Sequence, residues 1–385
     1  MKWQYPLSDI DLGKEEEREV LKVLRSRWLS MGPVTERFEK AFSEYLGGGE
    51  AIAVSNGTAA LHLALASLGL KEGDEVILPS FTFVATANAV LYAGAKPVFA
   101  DIVGFEDLNI SPREIEDRIT PKAKAILVMH YGGYPCDMQA ITGIARRHGL
   151  FLVEDAAHAP GSAYRGKKCG AIGELGCFSF FSNKNLVTGE GGMVITRNKG
   201  FAEKIREMRS HGMKALSWDK YHGHLSSYNI ERLGYNYRIT EIQSALGLVQ
   251  LKKLDRNRRK RERLVEVYRK NLDGVEGIST PFRRWKGKFS YHLFPILVQG
   301  EQADQSSLQR DRLMQELKNL GIQTSVHYPP VHLFSLYRKR FGLKAGMLPK
   351  TEKASRMEMT LPLHPGMDEA DVEWIVGKIK KIVKR

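Results

Sequence analysis

The chain has 385 residues, 43% of them hydrophobic, which is enough for a large buried core and excludes a disordered tail protein or a small disulfide scaffold. Its three cysteines, Cys136, Cys169 and Cys177, are odd in number and form no CxxC pair, so they read as reduced thiols and neither a disulfide framework nor a zinc site is expected. Lys and Arg total 58 against 44 Asp and Glu, a net charge of +14 that can serve nucleic acid, acidic lipid or a polyanionic small substrate.

No apolar run reaches the roughly 18 residues of a membrane span. The start, MKWQYPLSDIDLGKEEE, is charged and lacks the apolar region of a signal peptide. A cytoplasmic protein is expected, and the length suggests two domains.

Strand and helix signals alternate through the first two-thirds. EVILPS (75–80) is an apolar strand followed by the helix-like FVATANAVLYAG, and KPVFADI (96–102) is a second strand. Ser111-Pro112 reads as an N-cap and first helical position for PREIEDRI. KAILVMHY (124–131) is a third strand, DMQAITGIARRHG a helix closed by Gly149, and FLVEDAA (151–157) a fourth strand. Strands this apolar, separated by helices, predict a parallel sheet covered on both faces. CFSFF (177–181) and GMVITRN (192–198) add two strands with no helix between them.

From about 241 the texture changes. A long helix runs to about 272, and its stretch 251–270 carries ten Lys and Arg. Leu251, Leu254, Val265 and Tyr268 recur at helical spacing there, so the charges read as the solvated face of an amphipathic helix. Next come a strand (YHLFPILV), a helix (LQRDRLMQELKNLG), two strands (IQTSVHY and MTLPLHP) and a closing helix. WKGK (285–288) and FGLKAGMLPK (341–350) read as exposed loops. The expected division is 1–250 for a large domain and 251–385 for a smaller α+β domain.

Three segments carry chemistry. In VSNGTAALHLAL (54–65) a strand end turns at Gly57 into a helix, with Thr58 beside the free N–H groups. That is a phosphate cradle by geometry and dipole, although an ordinary capped helix looks similar. VEDAAHAPGS (153–162) ends the most apolar strand with two carboxylates and His158. Alternation sends Glu154 and Asp155 to opposite faces, so one of them faces a ligand beyond the strand ends. Asp155 can hold a protonated ring nitrogen supported by His158, or the pair can be a cap and a packed imidazole. CFSFFSNKNLVTGEGGMV (177–194) sets Lys184 between an apolar strand and a glycine-rich turn, with Ser179 nearby. A desolvated lysine there is a nucleophile, and an exposed one is a hairpin residue. Together and in this order, a phosphate cradle, a carboxylate and a lysine suit pyridoxal phosphate.

At this point the chain resembles the DegT/DnrJ/EryC1/StrS family of sugar-nucleotide aminotransferases. The likeness runs through RWLSMGPVTERFEKAFSEYLG (27–47), SNGTAALHLAL, PSFTFVATANAV, VEDAAHAPGSAYRGKKCG and FSFFSNKNLVTGEGGMV. It continues in GYNYRITEIQSALGLVQL (234–251), YHLFPI, HYPPVH and LPLHPGM, essentially the whole chain. The resemblance implies the type I pyridoxal-phosphate transferase fold, like aspartate aminotransferase. That fold is a large domain on a mixed, mostly parallel sheet, with a smaller α+β C-terminal domain. It implies that Lys184 carries the cofactor, that Asp155 pairs with its pyridine nitrogen and that His158 sits near the ring. Gly57, Thr58 and Ser179 would bind the phosphate, and Phe83 would stack on the ring. Asn236 and Arg238 of GYNYR would reach the cofactor phosphate of the neighbouring subunit, so a homodimer with shared active sites is implied. Glutamate would be the amino donor, leaving 2-oxoglutarate, and a keto sugar nucleotide the acceptor, with Lys214, His327 and Tyr328 as candidate substrate contacts. The product would be an amino sugar for polysaccharide or glycoconjugate synthesis. The rival enzyme reading is a pyridoxal-dependent dehydratase or epimerase of sugar nucleotides; family members that act as dehydratases replace the lysine with histidine, and this chain keeps Lys184. A DNA-binding regulator, suggested by the charge alone, finds no recognised DNA-binding motif. No nucleic acid, membrane or metal partner is expected.

Overall fold

The computed structural model describes residues 3–214, 229–283, 287–300 and 303–384. Its larger sheet has seven strands: β1 (Glu50–Val54), β2 (Glu75–Pro79), β3 (Lys96–Ala100), β4 (Ala123–Met129), β5 (Phe151–Asp155), β8 (Leu175–Ser179) and β9 (Gly192–Thr196). A short hairpin of β6 (Ala163–Tyr164) and β7 (Lys167–Lys168) lies between β5 and β8 in sequence. The spatial order is β1-β9-β8-β5-β4-β2-β3. The pairs from β3 across to β8 are all parallel, and β9 alone runs against its neighbours, β8 and β1.

The connections explain this. Helices Gly57–Ser67, Val84–Tyr92 and Met138–His148 supply crossovers long enough to bring the next strand back parallel. Residues 180–191, between β8 and β9, contain no helix, so the chain returns antiparallel. Every residue of β2 and of β9 is buried, as expected of strands covered on both faces. Because β1, β2, β4, β5 and β8 share one direction, their carboxyl ends, and the turn before β9, meet at one edge.

A second sheet orders β10 (Ile278–Ser279), β11 (Phe294–Val298) and β12 (Glu358–Leu361) antiparallel. Helices Ala303–Asn319 and Pro349–Met357 pack on it, and Glu369–Val383 packs against Ala303–Asn319. Helix Glu241–Leu272 touches both Pro33–Leu46 and Glu369–Val383, and so ties the two regions together. Its Thr240 cap and Gln243 form a reciprocal capping box.

Three expectations need correction. IQTSVHY is not a strand: it makes only isolated bridges, Ile322 to Tyr5 and Ser325 to Thr360. The N-terminal segment occupies one side of it, and the Tyr5 ring lies tilted 4.9 Å from that of Trp374. The basic helix is not solvated along all its charges. Lys253, Arg258 and Arg261 are buried: Lys253 Nζ lies 2.7 Å from Glu16, and Arg261 donates to the Leu363 carbonyl at 2.5 Å. In 341–350, Leu348 is buried and Pro349 already begins a helix. Residues 285 and 286 of WKGK lie outside the described residues. Among the described residues no helix is long and apolar enough to cross a membrane.

Candidate active site

The shared strand edge opens into a cavity of about 700 Å³. At one end, helix Gly57–Ser67 begins against it. Asn56 caps this helix, its Oδ1 accepting the Ala59 N–H at 2.8 Å while its carbonyl accepts Ala60 N–H at 3.1 Å. The Gly57 and Thr58 N–H groups have no intrahelical acceptor and lie at the positive end of the helix dipole. Ser179, the last residue of β8, lines the cavity beside them. A Cβ on Gly57 would stand 2.7 Å from the Ser179 Cβ, so glycine is what lets the helix start this close to the strand.

The buried end of the cavity is formed by Asp155 at the tip of β5. Its Oδ2 accepts the Thr86 hydroxyl at 2.8 Å and its Oδ1 the Ala157 N–H at 3.1 Å. Burial pushes the Asp155 pKa up, against the pull of Thr86, the Ala157 N–H and Lys184. It is a carboxylate in want of a cation.

Glu154 points the other way, as strand alternation requires. It is fully buried and accepts His130 Nε2 at 2.9 Å and the N–H groups of Gly170, Ile172 and Gly173 at 2.7 Å each. The carboxylate pins the segment after β7 beneath the strand that presents Asp155. Glu154→Gln puts an NH2 group against N–H donors and should lower unfolding stability by roughly 3 kcal/mol or more. A denaturant titration checks this, and an unchanged midpoint contradicts the clamp.

Lys184 sits in the turn after β8, its N–H donating to the Phe181 carbonyl at 2.9 Å. Its side chain is half-buried, with the accessible part turned to the cavity, and no carboxylate among the described residues lies within ion-pair distance. Desolvation lowers its pKa from 10.5 to about 8, with Asp155 pulling weakly the other way. The amine is thus neutral far more often than an ordinary lysine near neutral pH.

The facing wall holds Phe83, His158, His327 and Tyr328. The Tyr328 hydroxyl is 3.0 Å from His158 Nε2, and the Phe83 and Tyr328 rings lie 5.9 Å apart. His158 Nδ1 is buried with no hydrogen-bond partner among the described residues. Burial holds the His158 imidazole neutral, well below its ordinary pKa, and brings His327 down to about 4.

Of the residues singled out in the sequence, Gly57, Thr58, Phe83, Asp155, His158, Ser179, Lys184, His327 and Tyr328 all line this one cavity. Three do not. Asn236 is exposed and bridges Ser210, Arg238 is half-buried with Nη1 unpartnered among the described residues, and Lys214 is exposed and bonded to Glu231 at 2.8 Å. Sequence reading missed Thr86, whose pairing with Asp155 spans 69 positions, and Tyr237, which lines the cavity and lies 3.1 Å from His62 Nδ1. Thr82 and Thr86, at helical i,i+4 spacing in PSFTFVATAN, were the available signal.

The family model for DegT/DnrJ/EryC1/StrS aminotransferases matches residues 10–380. Spore coat polysaccharide biosynthesis protein SpsC of Bacillus subtilis is 41% identical over 374 residues, 97% of this chain and 95% of that protein. PseC of Helicobacter pylori, an aminotransferase involved in the biosynthesis of pseudoaminic acid, has the same fold with a TM-score of 0.91 at 32% identity over 99% of both chains. A Streptococcus pneumoniae chain solved in its PLP-form matches with a TM-score of 0.90 at 28% identity over 98% of both chains. With the fold, the strand-edge cavity and a match over nearly its whole length, this chain belongs to the DegT/DnrJ/EryC1/StrS aminotransferase family.

Proposed function

We propose that the protein is a pyridoxal-phosphate-dependent aminotransferase that moves the amino group of glutamate to a keto sugar nucleotide, a 4-keto hexose carried on UDP or dTDP. The observation that carries this reading is the sharing of one cavity by a lysine amine of lowered pKa, a buried carboxylate and a helix N-terminus with a serine hydroxyl.

The residues present fit the cofactor. The N–H groups of Gly57 and Thr58 and the hydroxyls of Thr58 and Ser179 suit its phosphate. Asp155 offers the anion that keeps a ring nitrogen protonated, and the unpartnered His158 Nδ1 is a polar atom awaiting a ligand. Phe83, half open to the cavity, offers a ring face. Bound there, pyridoxal phosphate supplies an electron sink for negative charge developing at the substrate carbon.

The rest is work for the chain's own groups. Lys184 would hold the cofactor. Lys184 Nζ would also be the group that takes a proton from the donor carbon and later returns it. A neutral amine is required for the first step, which the lowered pKa favours. Asp155 keeps its charge throughout, and Thr86 and the Ala157 N–H hold it in place. The test is a panel of keto-sugar nucleotides with glutamate, read by mass spectrometry for the amino product. Amination of none of them, with cofactor bound, sinks the substrate assignment.

We also infer a homodimer with composite sites. Asn236 and Arg238 lie outside their own cavity, and the Arg238 guanidinium has a buried, unpartnered nitrogen. An arginine so placed suits a phosphate across a subunit boundary. Lys184→Ala and the double variant Asn236→Ala, Arg238→Ala should each be weak or inactive alone. After reversible dissociation and mixing, about half the dimers become heterodimers with one intact site, so recovery should approach roughly a quarter of full activity. Confirmed subunit exchange without recovery means the loop serves its own subunit.

A further inference from the structure

The wall residue His327 is held from behind by a buried polar chain on β12. The Glu358 carboxyl, fully buried, accepts the His327 N–H at 2.6 Å. Its other oxygen lies 2.6 Å from the Thr360 hydroxyl, and that hydroxyl lies 2.8 Å from His327 Nδ1. The Tyr131 hydroxyl closes the group by donating to the His327 carbonyl. With Nδ1 engaged by Thr360, Nε2 is the ring nitrogen left to meet a ligand in the cavity.

A hydroxyl has one proton, so the directions of these bonds are locked together. If Glu358 is ionised, Thr360 must donate to it. His327 must then donate from Nδ1 to Thr360, and Nε2 is bare. If Glu358 carries a proton toward Thr360, every bond in the chain reverses. Thr360 donates to Nδ1, and the proton of the imidazole sits on Nε2.

We propose that Glu358 and Thr360 are positioning residues that set the tautomer of His327, so that the cavity wall offers substrate an N–H donor while Glu358 is protonated and a bare acceptor once it is ionised. The proposal rests on the function above only for the identity of the substrate oxygen concerned.

The surrounding groups allow the device to operate. Burial pushes Glu358 up to about 8, against the pull of Thr360, the His327 N–H, Tyr131 and the Arg310 charge. His327 is brought down to about 4, chiefly by burial and then by the Lys184 charge, so its ring stays neutral and only its tautomer changes. The Tyr131 and Tyr328 phenols are held protonated by burial, and His158 and His292 are held neutral by it. Among the described residues, Lys184, at about 8, is the other group facing His327 that changes charge in the same range, and it acts only through space. Removing the Glu358 proton equilibrium separates the two.

The experiment is nitrogen NMR of the full-length holoenzyme with 15N-labelled histidine, His327 being assigned by the signals lost in His327→Gln. Wild type should pass from the Nε2–H to the Nδ1–H tautomer with a midpoint near 8. In Glu358→Gln the amide oxygen must face the His327 N–H, so its NH2 faces Thr360. The relay is then fixed in the protonated sense, with Nε2–H throughout. Thr360→Val should uncouple the tautomer from pH, and Thr360→Ser should restore the coupling. With whichever keto sugar nucleotide the panel identifies, the pH dependence of KM across this range should be lost in Glu358→Gln, with kcat changing less. A wild-type tautomer that is the same on both sides of the range, or a Glu358→Gln variant that titrates like wild type, overturns the proposal. Failure of the amination panel leaves the tautomer measurement standing, so the two readings fail separately.

Discussion

Lys184→Ala should abolish turnover while leaving a folded protein that still takes up the cofactor. The side chain is half-buried at the cavity wall and makes no ion pair among the described residues that the fold would miss. Truncation opens space in a cavity that already exists, so the cost in stability is small. The cost in chemistry is not. A positioned acid–base group contributes roughly 10²–10⁴-fold on its own, and the covalent hold on the cofactor is lost with it. Borohydride treatment of the yellow wild-type protein should fix the cofactor mass on the peptide that contains Lys184. Label on another lysine refutes the assignment. In cofactor-free protein, Lys184 should react with added pyridoxal phosphate near neutral pH faster than exposed lysines such as Lys214, because its pKa is about 8 and that of Lys214 is raised by Glu231.

What was legible in the sequence was local. Strands such as EVILP and FLVED announce themselves by apolar runs between helices, and Ser111 caps the helix that follows it. Lys184, Asp155 and Gly57 were readable because each sits at a strand end beside a turn, where a short stretch of sequence declares both the geometry and the chemistry. IQTSVHY misled because its alternation is that of a strand, yet its pairing edge is settled by Tyr5, more than three hundred positions away. The buried cations of the long helix misled for the same reason: Glu16, the partner of Lys253, lies 237 positions earlier. The Thr86–Asp155 and Thr360–His327 contacts, at separations of 69 and 33, are likewise products of folding that no periodicity displays.

Asp155→Asn should cost roughly 3–5 kcal/mol in the transition state, the range for removing one partner of a buried, hydrogen-bonded charge pair. At 1.36 kcal/mol per tenfold, that is a fall of roughly 150- to 5,000-fold in turnover at saturating cofactor. The substitution keeps the shape, and the Thr86 hydroxyl and Ala157 N–H retain a neighbour, so the effect isolates the charge. Near-normal turnover removes Asp155 from the site. A second readout needs no turnover. In the cofactor-free protein, burial raises the Asp155 pKa above 3.8. Its carboxyl therefore keeps a proton that the unfolded chain has already released, and stability contributed at this position falls as pH rises through that interval. A bound cationic ring nitrogen reverses the sign by favouring the carboxylate. The rise in melting temperature on adding pyridoxal phosphate should thus be larger near neutral pH than in mild acid for wild type. In Asp155→Asn, which cannot ionise there, that difference should shrink. An undiminished difference in the variant assigns the pH dependence to Lys184 or the phosphate cradle instead.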